Sequence, residues 1–242
     1  MDLYIDHNSL PEEERKASRV VEENLRALLD LVEDFRSTLD LFNHVNTLEP
    51  DPAAPHRRGR WSEIAGRNGA LVVYGFWQVM EAINALKAPT LWQRADVQER
   101  RTGDSLFTAR FPQIAAIRIS AAHPGELSAT PQERKKHGLN EAVENQMISV
   151  AANSGTFIES MMVVAGKKMT YSSSVKGKLV SYELSEESAQ ALEQIVGQYL
   201  VAFMPLEDPK SRAGREWRQK TDEELHRYQI DHPEWFSPPD GH

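Results

Sequence analysis

The segment IRISAAHPGEL, residues 117–127, contains an arginine and a histidine that together could act on a phosphate group. Arg118 carries a planar guanidinium, a permanent donor of hydrogen bonds to phosphate oxygens. His123 carries an imidazole, the group that most often moves protons in catalysis. His123 could assist a ribose 2′-hydroxyl as it attacks the adjacent phosphate, while Arg118 stabilises the charge on phosphorus. This chemistry would cleave RNA without a metal ion.

The spacing of the pair does not by itself identify a site. With 18 arginines and 8 histidines in the chain, about two pairs in which a histidine follows an arginine by four to six residues arise by chance. Two are present, Arg118–His123 and Arg227–His232. Residues five apart in a regular helix differ in direction by about 140°, so the helix must end between the members of a working pair. Pro124 favours such an end at His123.

Composition limits the classes of function. The chain has 242 residues, no cysteine and a formal charge of −8, which excludes disulfides, thiolate catalysis and zinc sites built on cysteine. A protein that coats nucleic acid is normally basic, whereas an enzyme that touches RNA at one cleft needs only a favourable local charge. We find no apolar run long enough for a membrane span, no secretory signal and no metal or cofactor motif. We therefore expect a cytoplasmic protein without a cofactor.

The pattern of apolar residues predicts a mainly α fold, an antiparallel helical bundle with a small antiparallel β-hairpin insert. A heptad-like seam over residues 11–48 predicts a long first helix. The other predicted helices cover residues 62–86, 91–101, 104–110, 112–123, 141–152 and 185–204, with a charged loop at 125–140. Alternating residues at 156–164, 168–175 and 178–184 predict two or three antiparallel strands.

We divide the chain into a helical domain, residues 1–204, with the β-insert at about 156–184, and a charged tail, residues 205–242. The tail contains Trp217, Trp235 and Phe236. These aromatic residues predict either docking of the tail on its own domain or binding of a partner.

The order of these elements around Arg-x4-His-Pro-Gly-Glu resembles a HEPN-type domain (higher eukaryotes and prokaryotes nucleotide-binding), most of all bacterial members from abortive-infection and toxin–antitoxin systems. The resemblance covers about residues 15–204, and its specific part is residues 117–127. It implies a homodimer with the arginines and histidines of both subunits in one cleft, ribonuclease activity on an RNA substrate, and a protein partner such as a nucleotidyltransferase antitoxin.

The resemblance assigns phosphate binding to Arg118 and catalysis to His123. Active members usually place Asn, Asp or His directly after the arginine, where this chain has Ile119. Ser120 is the nearest polar substitute, and we take Ser120 and Glu126 as candidate substrate-binding residues. The departure at Ile119 keeps open a second interpretation, a non-catalytic HEPN-like protein that binds a partner, a nucleotide or RNA.

A third interpretation is a helical protein outside that family, in which both residues are structural. Arg118 would then pair with an acid such as Glu126, and His123 would cap a helix C-terminus. Two basic segments, His56–Arg60 beside Trp61 and Arg134–His137, could bind phosphate, although charged loops are more often simply solvated.

Overall fold

The computed structural model describes residues 3–49, 51–123, 125–144, 149–150, 156–213, 223 and 226–227. Its α-helices are α1 (Arg15–Thr47), α2 (Arg57–Asn84), α3 (Pro89–Arg94), α4 (Val97–Arg110), α5 (Ile114–Ala122), α6 (Pro131–His137) and α7 (Glu186–Phe203). Its strands are β1 (Val143–Glu144), β2 (Ser149–Val150), β3 (Met161–Ala165), β4 (Lys168–Val175) and β5 (Lys178–Leu184). Short 3-10 helices cover His7–Ser9, Glu12–Glu14 and Met204–Leu206. The protein is mainly helical with a small antiparallel sheet, as the sequence predicts.

The long helix α1 forms one side of the core. It packs along α2 and α7, and its buried stripe has the predicted spacing of four and three residues. The seven residues of the predicted seam are all buried: Val21, Leu25, Leu28, Val32, Phe35, Leu39 and Phe42. Helix α2 begins at Arg57, five residues before the predicted start, and its narrow buried face carries glycine and alanine beside larger residues.

The sheet has the order β3-β4-β5, with both neighbouring pairs antiparallel. Strands β4 and β5 have the bounds that the sequence predicts, whereas β3 is shorter than the predicted strand at 156–164. The turn between β4 and β5 places Lys176 and Gly177 at φ 51° and 83°. Two successive residues with positive φ form the turn that matches the twist of a hairpin, and glycine accepts that conformation at little cost.

Three stretches differ from the sequence prediction. The two helices predicted at 91–101 and 104–110 correspond to α3 and α4, but the break between them lies at residues 95–96, because α4 starts at Val97, where the Asp96 carboxylate accepts the backbone N–H groups of Gln98 and Glu99. The predicted helix at 141–152 is wrong, since β1 pairs with β2 and brings the β-branched Val143 opposite Val150. The predicted loop at 125–140 contains α6, whose N-cap is Thr130.

The two ends of the helical domain are held together by a short backbone contact. The Asp6 N–H donates to the Leu206 carbonyl at 2.8 Å, and the Asp208 N–H donates to the Tyr4 carbonyl at 2.8 Å. Leu206 is buried, so the chain remains packed on the domain beyond residue 204. The predictions for Trp217, Trp235, Phe236 and His232 lie outside the described residues. No helix within the described ranges is long and apolar enough to cross a membrane.

Candidate active site

Helix α5 carries the candidate site and is firmly packed on the rest of the domain. It packs against α2, β4 and β5, and the residues that face them are buried: Ile114, Ile117, Ser120 and Ala121. At its start, the Gln113 side-chain oxygen accepts the backbone N–H of Ser181 in β5 at 2.8 Å. Arg118 lies on the other face of α5, where its side chain is exposed.

His123 marks the end of α5, as the sequence predicts. It is the C-cap residue, with φ −132° and ψ 57°, and its N–H donates to the Ile119 carbonyl at 3.1 Å. The backbone then turns, with the Glu126 N–H donating to the His123 carbonyl at 3.0 Å, and buried Leu127 fixes the chain to the core. The His123 side chain therefore leaves the helix from an ordered position outside the helical repeat.

Glu126 pairs with His123 rather than with Arg118. The Nδ1 atom of His123 lies 3.1 Å from Glu126 Oε1, and the two side chains are 49% and 71% exposed. In this arrangement the carboxylate accepts a hydrogen bond from Nδ1–H, which leaves Nε2 as the basic nitrogen of a neutral ring. The structure thus brings together one predicted catalytic residue and one predicted substrate-binding residue.

Arg118 lies over an aromatic ring of the neighbouring helix. Its guanidinium carbon is 4.8 Å from the centroid of the Tyr74 ring in α2, a cation–π distance. Within the described part of the chain, Arg118 has no ion pair, so its charge is not neutralised by a neighbouring carboxylate there. The ion pair with Glu126 that the sequence leaves open is not formed.

Ser120 lies on the inner side of α5. It is fully buried, and its hydroxyl donates to the Ile117 carbonyl at 2.8 Å. The adjacent Tyr171 is buried as well, and burial raises the pKa of its hydroxyl, while Arg67 and Ser120 act in the opposite direction. Both hydroxyls are therefore directed into the core, and the site available to a substrate consists of Arg118, His123 and Glu126.

The first basic segment of the sequence is largely neutralised by its neighbours. Arg57 pairs with Asp51 at 3.3 Å, and Arg60 lies 3.9 Å from Glu63. Arg58 donates to the side chain and backbone of Asn46 at 2.6 Å. These contacts favour the interpretation of a solvated, self-paired surface for this segment.

A second histidine, His7, lies between a serine and a carboxylate. Its Nδ1 is 2.8 Å from Ser18 Oγ, and its Nε2 is 3.4 Å from Glu22 Oε2. Ser18 is fully buried, and its hydroxyl donates to the Arg15 carbonyl at 2.9 Å. A substrate cannot reach that hydroxyl, so these contacts attach the N-terminal segment to α1.

Comparison of the chain with protein-family models, with curated proteins and with solved structures gives no match. Across the described ranges, no group of three or more His, Asp or Glu residues is arranged to hold a metal ion. The sequence reasoning missed Tyr74, because nothing local to α2 or α5 shows which residues face each other when the helices pack. The only signal was its place in the aromatic-rich run of the second helix.

We expect the Arg118–Tyr74 contact to contribute about 0.5–1 kcal/mol to the free energy of unfolding, the range for an exposed cation–π pair. The measurement is a double-mutant cycle with Arg118→Met and Tyr74→Leu, each followed by urea denaturation. Tyr74→Phe is the matched control, because it keeps the ring and should retain the coupling. Coupling that is zero in the cycle, or absent in Tyr74→Phe, would contradict this assignment.

Proposed function

We propose that the protein is a metal-independent endoribonuclease in which His123 and Arg118 act on one phosphodiester. His123 Nε2 takes the proton of the ribose 2′-hydroxyl, whose oxygen attacks the adjacent phosphorus. The bond from phosphorus to the 5′-oxygen breaks, and that oxygen leaves with a proton from water. The products are a 2′,3′-cyclic phosphate and a 5′-hydroxyl.

The observation that carries this proposal is the contact between His123 and Glu126. A general base must present an unprotonated nitrogen to its substrate in a fixed direction. The 3.1 Å contact from Nδ1 to the carboxylate holds the ring, while about half of the side chain is exposed to a substrate. An imidazole that served only to cap α5 would need neither this orientation nor this exposure.

Arg118 supplies the second requirement, which is stabilisation of negative charge on phosphorus. Arg118 and His123 are five positions apart, which corresponds to about 7.5 Å of helix axis, within reach of a single nucleotide for these long side chains. Tyr74 supports the guanidinium from one side through its ring, which leaves the N–H donors of the guanidinium available to phosphate oxygens.

The proposal includes a cytoplasmic homodimer in which two copies of the site share one cleft. This arrangement comes from the HEPN resemblance, as does the expectation of an antitoxin or other protein partner. It agrees with the exposure of both Arg118 and His123. A cleft formed by two copies would also exclude water from two exposed side chains and strengthen their interaction with the phosphate.

A second candidate is an RNA-binding protein of the same fold without cleavage activity. It is favoured by Ile119, which is partly buried against the core where active HEPN members usually have a polar residue. In this case Arg118 would still bind phosphate, and His123 would contact RNA without transferring a proton.

The experiment is incubation of labelled RNA with the purified protein in EDTA, followed by analysis of the product ends. The control is Arg118→Ala/His123→Ala, prepared identically and shown to be folded, which reveals any contaminating ribonuclease. Wild-type cleavage that leaves 2′,3′-cyclic phosphates, absent from the double variant, would support the proposal. Equal cleavage by both proteins would overturn it. RNA binding without cleavage, with or without added divalent metal, would replace it with the second candidate.

A further inference from the structure

Exposed cations from two parts of the chain lie together, and the first part follows the candidate active site in the sequence. Helix α6 and the turn between β4 and β5 carry exposed basic residues, which we call the α6 cluster: Arg134, Lys135, Lys136, Lys176 and Lys178. From the sequence, the residues of the helix are predicted to lie in a charged loop, and those of the turn to lie in a hairpin. The fold brings the two parts together.

Two hydrogen bonds, one to a side chain and one between backbone groups, join the two parts of the α6 cluster. The Lys176 N–H donates to His137 Nδ1 at 3.2 Å, and the Asn140 N–H donates to the Gly177 carbonyl at 3.0 Å. His137 is buried, and its Nε2 lies 3.2 Å from Glu133 Oε2. The end of α6 is therefore fixed against the hairpin turn, which limits the entropy cost when the cations bind a ligand.

The α6 cluster keeps most of its charge. Lys136 pairs with Glu133 at 3.2 Å, whereas Lys135, Lys176 and Lys178 have no ion pair among the residues that the structure describes. Glu141 and Glu144 are the next acidic residues along the chain. A net positive surface in a chain of formal charge −8 is a local feature that contrasts with the overall composition.

The α6 cluster is attached to the turn that holds His123 and Glu126. Arg134 Nε donates to the Ser128 carbonyl at 3.0 Å. Thr130 caps α6 by accepting the Glu133 N–H at 3.1 Å. Residues 125–130 thus form a short, bonded connection between the candidate base and the cations. A polymer that places one phosphate at Arg118 can continue along this connection.

We propose that the α6 cluster binds the sugar-phosphate backbone of the RNA strand whose cleavage is assigned above to His123, an inference that rests on the proposed function. Ammonium groups on flexible stems neutralise phosphates without reading bases. The surface therefore accepts single-stranded RNA of any sequence and releases counterions on binding. Because the α6 cluster follows the turn that carries His123, it would bind the nucleotides on one side of the cleaved bond.

The experiment measures binding of a labelled single-stranded RNA at several salt concentrations, with every protein in the His123→Ala background so that RNA remains intact. The cluster variant is Lys135→Gln/Lys176→Asn/Lys178→Gln, with asparagine at 176 because it tolerates the positive φ. The control variant, Lys16→Gln/Arg19→Gln/Arg101→Gln, changes the net charge equally at exposed cations of α1 and α4. Circular dichroism verifies that both variants are folded.

We expect the cluster variant to bind roughly tenfold or more weakly at moderate salt. The slope of log K against log salt should fall by about 2, because each phosphate that a lysine neutralises adds about 0.7 to it. The control should bind like its parent.

Unchanged binding by the cluster variant would overturn the proposal even if the wild type cleaves RNA. Cluster-dependent binding without wild-type cleavage would support the surface and reject the nuclease. Cluster-dependent binding to phosphatidylserine vesicles, with no binding to RNA, would overturn the assignment to RNA. The α6 cluster would then be a membrane-binding surface.

Discussion

His123→Ala should lower the rate of RNA cleavage by about 10²–10⁴-fold, the usual contribution of a positioned general base. The loss should appear in kcat with little change in KM, because the imidazole acts on the transferred proton and Arg118 and the basic surface supply affinity. The measurement is single-turnover and steady-state cleavage of a defined oligonucleotide in EDTA. The matched control is His44→Ala, which removes an exposed histidine from α1 and should leave the rate unchanged.

Two further measurements distinguish proton transfer from a structural role of His123. Free imidazole should partly restore cleavage by His123→Gly, because it can occupy the vacated space and accept the same proton. Glu126→Gln should retain more activity than Glu126→Ala, since the amide oxygen still accepts a hydrogen bond from Nδ1 and holds the ring. Unaltered cleavage by His123→Ala, or no response of His123→Gly to imidazole, would contradict the role of His123 as base.

The parts of the fold that could be predicted are those encoded over a few neighbouring residues. The seam of α1, the end of α5 at His123 and the turn at Lys176 and Gly177 each depend on a local pattern: a helical period, a proline after the last helical residue, a glycine between alternating strands. Such patterns are read from one segment alone. Packing elsewhere in the molecule does not override them here.

The parts that could not be predicted depend on which elements meet. Helical geometry shows that Ser120 and Arg118 differ in direction, but the side of α5 that faces the core is set by α2 and the sheet. Ser120 is buried for this reason, and Arg118 meets Tyr74. The same limit applies to Glu126, which the third interpretation pairs with Arg118 and which the turn after α5 places against His123 instead.

The start of helix α6 is encoded in the sequence, although the prediction for residues 125–140 is a loop. Thr130, Pro131 and Glu133 have the types and spacing of a helix start, with an N-cap hydroxyl, a proline in the first turn and an acid three residues after the cap. The high charge of residues 132–137 favoured a loop instead. Net charge likewise concealed the α6 cluster, because a total of −8 says nothing about how cations are distributed once the hairpin turn packs on this helix.

Helix α2 packs closely against the sheet beneath α5 at Gly69. A Cβ atom added at Gly69 would lie 2.5 Å from Tyr182 Oη and 3.2 Å from Leu184 Cδ1. Tyr182 is buried and its hydroxyl donates to the Gly66 carbonyl, so it cannot move aside without losing that bond. Overpacking of this kind costs about 1–3 kcal/mol, and the better helix propensity of alanine offsets up to about 1 kcal/mol.

We therefore expect Gly69→Ala to lower the free energy of unfolding by about 1–2 kcal/mol in urea denaturation at constant m-value. Gly197→Ala in α7 is the control, because an added Cβ meets nothing within 4 Å there and should raise stability by about 0.5–1 kcal/mol. In Gly69→Ala/Tyr182→Phe the clashing hydroxyl is gone, so the two changes should be less costly together than the sum of the singles. Additive costs, or a Gly69→Ala variant as stable as wild type, would show that the sheet does not rest on α2 through this glycine. In that case, other contacts would have to hold α5 in the position from which it presents Arg118 and His123.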